Sequence, residues 1–193
     1  MNFFNKVRLI NKVNVTKQIK PIKDELLKDA YFSQYNRRDD YGAFNFEVNT
    51  NYRQYLYDVF IKHSRRLLNN FTLRDTDFKV WCYLTGENFS LGDTWHNHLN
   101  TSTINGVLYL NVVKGCGIEF KTDCNDTYRQ DISDRLYNRN NVKYIDPNNF
   151  DLLIFPNFID HRPLISKDKT RISFNLELRC NESSKKIFNL RSE

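Results

Sequence analysis

Few residues of this chain are of the kinds that punctuate or staple a fold. Six glycines and four prolines are spread over 193 residues, which excludes a collagen-like or low-complexity chain. The four cysteines, Cys82, Cys116, Cys124 and Cys180, include no C-x-x-C pair and lack the density of a disulfide scaffold. Cys82 and Cys180 sit in apolar alternating runs and read as small core residues. No apolar run reaches membrane-spanning length, and the start, M-N-F-F-N-K-V-R-L-I-N-K, carries charges where a signal peptide needs an unbroken apolar stretch. A reduced, cytoplasmic protein without a membrane partner is the expectation. The net charge of +6 lacks a focus, being dispersed from Lys6, Arg8, Lys12, Lys17 and Lys20 through Arg37, Arg65 and Arg129 to Lys185. Without a dense basic tail or interleaved aromatics, nucleic acid is not an expected partner.

What is present suits a globular protein: 40% hydrophobic residues and 15% aromatics. The length predicts one domain, residues 1–193, with a helical and irregular part over 1–75 packed on a strand-rich core over 76–180. Residues 3–20 alternate loosely through Val7, Leu9, Val13 and Val15 and predict one or two early strands. Pro21 opens a short helix through Asp24, Glu25, Leu26 and Leu27, its acids where the helix dipole favours them. Residues 31–46 read as loop. Tyr52, Tyr55, Leu56, Val59, Phe60, His63 and Leu67 form one helical stripe, with Thr50 as its N-cap. His63, on the apolar edge of that stripe, reads as a packed residue rather than a ligand.

After Phe71 the texture changes to short runs: 79–84, 104–113, 118–120 behind a turn at 115–117, 142–145, 152–155 and 171–179. Residues 122–141 are very polar and read as a long excursion. This order predicts a mainly β fold, a sandwich or barrel with N-terminal helices on one sheet. In the last run Ile172, Phe174, Leu176 and Leu178 share one face, and Arg171, Ser173, Asn175 and Glu177 the other. The first face is for burial; the second faces water or lines a polar interior.

The four histidines stand at 63, 96, 98 and 161. On extended backbone His96 and His98 point to one side, roughly 6–7 Å apart. With His161 downstream and Arg171 ten residues beyond it, they are the parts of a metal site with an anionic co-ligand. H-x-H alone is more often incidental than not. Beside it stand His161 behind an L-L-I-F-P run and an R-x-S ten residues further on.

These residues carry a resemblance. His96-Asn97-His98, then Ser102, then Asn105-Gly106-Val107-Leu108-Tyr109-Leu110, then Leu152-Leu153-Ile154-Phe155-Pro156-Asn157 leading to His161, then Arg171-Ile172-Ser173-Phe174-Asn175 stand in this order. The pattern resembles the Fe(II)- and 2-oxoglutarate-dependent oxygenases, and more narrowly the small oxygenases of that superfamily from phages and marine bacteria. The resemblance covers residues 80–178. It implies a double-stranded β-helix (jelly-roll) core, a dioxygenase (most readily a hydroxylase), Fe(II) and 2-oxoglutarate as cofactors with ascorbate as reductant, and host cytoplasm if the chain is phage-encoded. His96, His98 and His161 are then the metal ligands, and Arg171, Ser173 and Tyr109 bind 2-oxoglutarate.

One departure stands out: where the superfamily has H-x-D, this chain has His98. Three options follow. All three histidines bind iron, which is the favoured option; one of the close pair only lines the pocket; or a carboxylate such as Asp93 or Asp160 completes the set. Two other classes of protein remain as alternatives, an inactive jelly-roll binding module and a three-histidine cupin-type metalloenzyme without 2-oxoglutarate. An intact Arg171 weighs against both. The substrate is not legible (peptide side chain, small molecule or nucleobase), and specificity is expected in 31–46 and 122–141.

Overall fold

The alternation of the last strand requires a sheet with at least one buried face, and that sheet organises the molecule. The structure is a computed structural model that describes residues 9–32, 37–38, 44–47, 50–65, 67, 78–85, 94–121, 142–164 and 171–180. Its strands are β1 (Asn11–Asn14), β2 (Arg37–Arg38), β3 (Phe44–Glu47), β4 (Phe78–Thr85), β5 (Ile104–Asn111), β6 (Ile118–Lys121), β7 (Val142–Ile145), β8 (Asp151–Pro156), β9 (His161–Pro163) and β10 (Arg171–Leu178). The helices are α1 (Thr16–Ile19), α2 (Lys23–Phe32) and α3 (Thr50–Ser64). Seven strands form one antiparallel sheet in the order β1-β8-β5-β10-β4-β3-β2, and three form a second in the order β7-β6-β9.

The two faces of the large sheet bury different partners. Ile104, Leu108 and Leu110 of β5, Leu152 and Ile154 of β8, and Ile172, Phe174, Leu176 and Leu178 of β10 pack with Ile19, Leu26, Leu56 and Phe60 of the helical segments. The opposite face, through Val107, Tyr109, Leu153 and Phe155, packs with Ile118 and Phe120 of the small sheet. Burying both faces is why β5 and β8 read as continuous apolar runs. Gly106 lets α3 approach: a Cβ there would stand 2.6 Å from Cε2 of Phe60. Asp151 fastens the β1 edge, accepting from Asn14 Nδ2 at 3.0 Å and from the Asn148 amide at 2.8 Å, with Lys12 Nζ 3.0 Å away. Burial would raise its pKa, but these partners hold it below the usual carboxylate value.

The mainly β architecture with N-terminal helices agrees with the sequence reading; several details do not. Residues 31–46, expected as loop, contain the end of α2, all of β2 and most of β3, which pairs with β4. Helix α3 begins at Thr50 itself, and Tyr55 of the expected apolar stripe is exposed, its hydroxyl donating to the Gln18 carbonyl at 2.9 Å. Of the one or two early strands expected over 3–20, the described residues contain one, β1, as the alternation allowed. Strand β9 was not anticipated. Cys82 and Cys180 are buried as expected, and burial pushes the Cys82 thiol up to about 12. Cys124, Asp93 and the excursion over 122–141 lie outside the described residues. No described helix is long and apolar enough to cross a membrane.

Candidate metal centre

His96 and His161 face one another in an isolated antiparallel bridge. Each donates its backbone N–H to the other's carbonyl, at 3.0 and 2.9 Å. That reciprocal pairing sets both side chains on one side of the local ladder, and the imidazole centroids stand 4.3 Å apart. His98 continues alongside, its N–H bonded to the Asn157 carbonyl at 2.9 Å. The chain then turns, with the amides of Thr101 and Ser102 both donating to the His98 carbonyl at 3.1 Å. The His98 ring lies 5.3 Å from that of His96 and stacks 5.1 Å from that of His161. One ring nitrogen of each histidine lies within 4.8 Å of the others, and among the described residues no other group of this kind occurs.

Residues between the histidines point elsewhere. Asn97 Nδ2 donates to Asp160 Oδ1 at 2.9 Å, and Asp160 Oδ2 is 3.9 Å from Lys121 Nζ. Asp160 is therefore engaged away from the cluster and is not one of its members. His63 is not a member either.

The tautomers follow from the neighbours. His96 Nδ1 lies 3.1 Å from the Thr94 carbonyl, His161 Nδ1 3.0 Å from the Ile159 carbonyl, and His98 Nδ1 2.6 Å from Oε1 of Glu177. Carbonyls and carboxylates only accept, so each Nδ1 carries a proton and each Nε2 keeps its lone pair. Burial lowers the His161 pKa well below its ordinary value, and His96 beside it adds to the effect. His96 is exposed at the rim, yet the side chains crowding its ring lower its pKa as well, desolvation first, against the opposing bond to Thr94. Neutral imidazole is the form that binds metal. His161 rests on Phe155 and Phe120, centroids 4.7 and 6.0 Å away.

The polar face of β10 is buried rather than solvated: Arg171, Ser173 and Glu177 are 4%, 3% and 5% exposed. The Arg171 guanidinium lies 5.1 Å from the ring centroid of Tyr109 and donates through Nη1 to the Leu164 carbonyl at 3.2 Å. No carboxylate among the described residues pairs with it. The Tyr109 hydroxyl and Arg171 Nε are buried without a hydrogen-bond partner. Burial raises the Tyr109 pKa, and the nearby Arg171 guanidinium opposes that rise. Ser173 is the register partner of Tyr109 across β5 and β10. A buried cation and two orphaned donors on one patch are costly unless an anion completes them. Three imidazole lone pairs and this patch fit a divalent metal and a carboxylate ligand.

Two residues at the site escaped the sequence reading. Glu177, which holds His98, stood in plain view on the polar face of β10, where alternation puts it with Arg171 and Ser173. Asn105 is 3% exposed, accepts at Oδ1 from Ser102 Oγ at 2.5 Å, and leaves Nδ2 buried without a partner. Its place on an apolar-looking strand gave no signal.

Solved structures share this fold. The chain resembles a prolyl-4-hydroxylase from Pseudomonas putida over 90% of its own length and 94% of that chain, with a TM-score of 0.59 and 12% identity. It resembles a prolyl hydroxylase from Trichoplax adhaerens, solved with a hypoxia inducible factor oxygen degradation domain peptide fragment, over 96% and 88%, with a TM-score of 0.56 and 13% identity. It also resembles HygX from Streptomyces hygroscopicus, solved with nickel, 2-oxoglutarate and hygromycin B, over 88% and 82%, with a TM-score of 0.55 and 9% identity. No protein-family model and no curated protein matches the sequence. The chain thus shares the jelly-roll fold of these proteins and carries a three-histidine cluster.

Proposed function

We propose that this protein is an Fe(II)- and 2-oxoglutarate-dependent dioxygenase whose reaction is a hydroxylation. The observation that carries the reading is the set of three imidazoles, each tied at Nδ1 to an acceptor, with ring nitrogens converging within 4.8 Å. His96, His98 and His161 would hold the iron through Nε2, a set of neutral nitrogen donors suited to a first-row divalent ion. Arg171 would take the far carboxylate of 2-oxoglutarate with its planar fork, joined by the Tyr109 hydroxyl and Ser173. Iron held there would supply the oxidation that, with 2-oxoglutarate and O₂, hydroxylates a substrate C–H bond and leaves succinate and CO₂. Phe120 and Phe155, 5.0 Å apart beneath His161, keep that side of the centre dry.

The narrower kinship with small phage and marine-bacterial oxygenases rests on the motifs around His96, Tyr109, His161 and Arg171. The substrate class stays open between peptide, small molecule and nucleobase. Among the similar structures, one holds a peptide fragment and another hygromycin B, so the fold does not choose between them.

The test needs no substrate. Purified protein mixed with Fe(II), ascorbate and 2-oxoglutarate in air is expected to release succinate, and to stop doing so under nitrogen or in the His96→Ala and His161→Ala variants. Neither succinate nor 2-oxoglutarate binding by calorimetry would make this a jelly-roll binding module. Metal binding without any 2-oxoglutarate dependence would make it a cupin-type metalloenzyme.

A further inference from the structure

The three imidazoles are not held alike. His96 and His161 are oriented by neutral backbone carbonyls, whereas His98 is held by a carboxylate. Glu177 Oε1 is 2.6 Å from His98 Nδ1, and Thr101 Oγ1 lies 3.5 Å from both atoms. The Glu177 side chain is 7% exposed, flanked in register by Lys79 of β4 and Asn105 of β5. Among the described ion pairs, its partner is His98 and no other group. A carboxylate placed behind one imidazole holds that ring's Nδ1 and leaves Nε2 directed to its far side.

We infer that Glu177 is a positioning residue for the metal centre: it holds His98 with Nε2 toward the ion and returns, one imidazole away, the negative charge that a carboxylate ligand would supply. The inference rests on the reading of the three histidines as ligands. Carboxylates behind ligating histidines fix ring orientation and raise ligand basicity, and removing one costs 10–100-fold in metal affinity. Strand β10 thereby serves both parts of the site, with Arg171 near one end and Glu177 near the other.

Ni(II) titration of the metal-free protein by calorimetry tests this, with Glu177→Gln and Glu177→Ala beside the parent. Glu177→Ala should bind Ni(II) about 10–100-fold more weakly. Glu177→Gln keeps an acceptor but loses the charge, and should fall between the two. Should the alanine variant fail to fold, the glutamine variant decides. A second readout needs no metal: ¹⁵N–¹H correlations of the imidazoles should show the His98 proton on Nδ1 in the parent and a shift toward Nε2 in Glu177→Ala. Affinity within twofold of the parent in a folded variant, or a parent His98 protonated at Nε2, overturns the role of Glu177 alone. A parent that binds no Ni(II) overturns the metal reading itself.

Discussion

At the scale of single residues, the site rests on side chains whose type is fixed by chemistry, and such residues are the ones a sequence reveals. Nothing but imidazole offers a neutral nitrogen lone pair at H-x-H spacing, so His96, His98 and His161 could be singled out before any fold was known; that they converge is the finding of the structure. Glu177 was harder, because an acid on an alternating strand reads as solvated until the strand is seen to be buried on both faces. Arg171 carries a prediction here. A lysine would engage a carboxylate with one donor rather than a planar pair. Arg171→Ala should raise the 2-oxoglutarate concentration needed for half-maximal succinate release by tenfold or more, within the ~1.5–3 kcal/mol of a charge-assisted bond, and Arg171→Lys should recover part of it. An unchanged requirement in Arg171→Ala would remove Arg171 from the co-substrate site. A pH effect follows from His161. Its folded-state pKa lies well below that of an unfolded histidine, about 6.5. Above that pH both states are neutral and folding carries no proton penalty. As the pH falls below it, the unfolded chain takes up a proton that the folded one refuses, and stability falls. Urea midpoints of the metal-free protein should therefore drop between about pH 6.5 and 5, less steeply in His161→Gln; an equal slope in both would contradict this.

At the scale of elements, strand β10 was the most legible piece, since eight alternating residues specify both its faces: Ile172 to Leu178 against the helices, Arg171 to Glu177 against the small sheet. Strands β3 and β9 were not legible for the opposite reason. Phe44–Glu47 offers four residues of alternation, and His161–Pro163 only three with a proline, so neither run outweighs its polar surroundings; partners distant in sequence, β4 and β6, make them strands. Helix α3 was found, but Tyr55 of its expected stripe is exposed while Leu56, Val59 and Phe60 are buried, Phe60 seated over Gly106. That seat is testable. Adding a methyl in Gly106→Ala would crowd Phe60 at 2.6 and 3.0 Å and Leu176 at 3.3 Å, in a core with no slack. A loss of about 1–3 kcal/mol is expected in chemical denaturation, with part restored by Phe60→Leu in the same background. Ni(II) stoichiometry should not change, because this face of β5 looks away from the histidines. An alanine variant as stable as the parent would show that α3 does not pack there as described.

At the scale of the whole molecule, the large sheet divides labour between its faces. The helical side is an apolar core with no polar face of β10 exposed to it, and the side toward the small sheet holds every candidate ligand. Fold class was legible because a helical front followed by short strands has few packings. Sheet order was not, because the β1–β8 and β4–β10 pairings join residues more than eighty positions apart, and sequence periodicity carries no information on long-range partners. The proposed function makes one spatial claim above all others: a single metal bound between His96, His98 and His161, with 2-oxoglutarate reaching from it toward Arg171. A crystal soaked with Ni(II) and 2-oxoglutarate, measured at the nickel edge, addresses that claim directly. The account predicts one anomalous peak bonded to the three Nε2 atoms and the distal carboxylate of 2-oxoglutarate on Arg171 and Tyr109; no peak among the three histidines, or a peak there with 2-oxoglutarate bound away from Arg171, would contradict it.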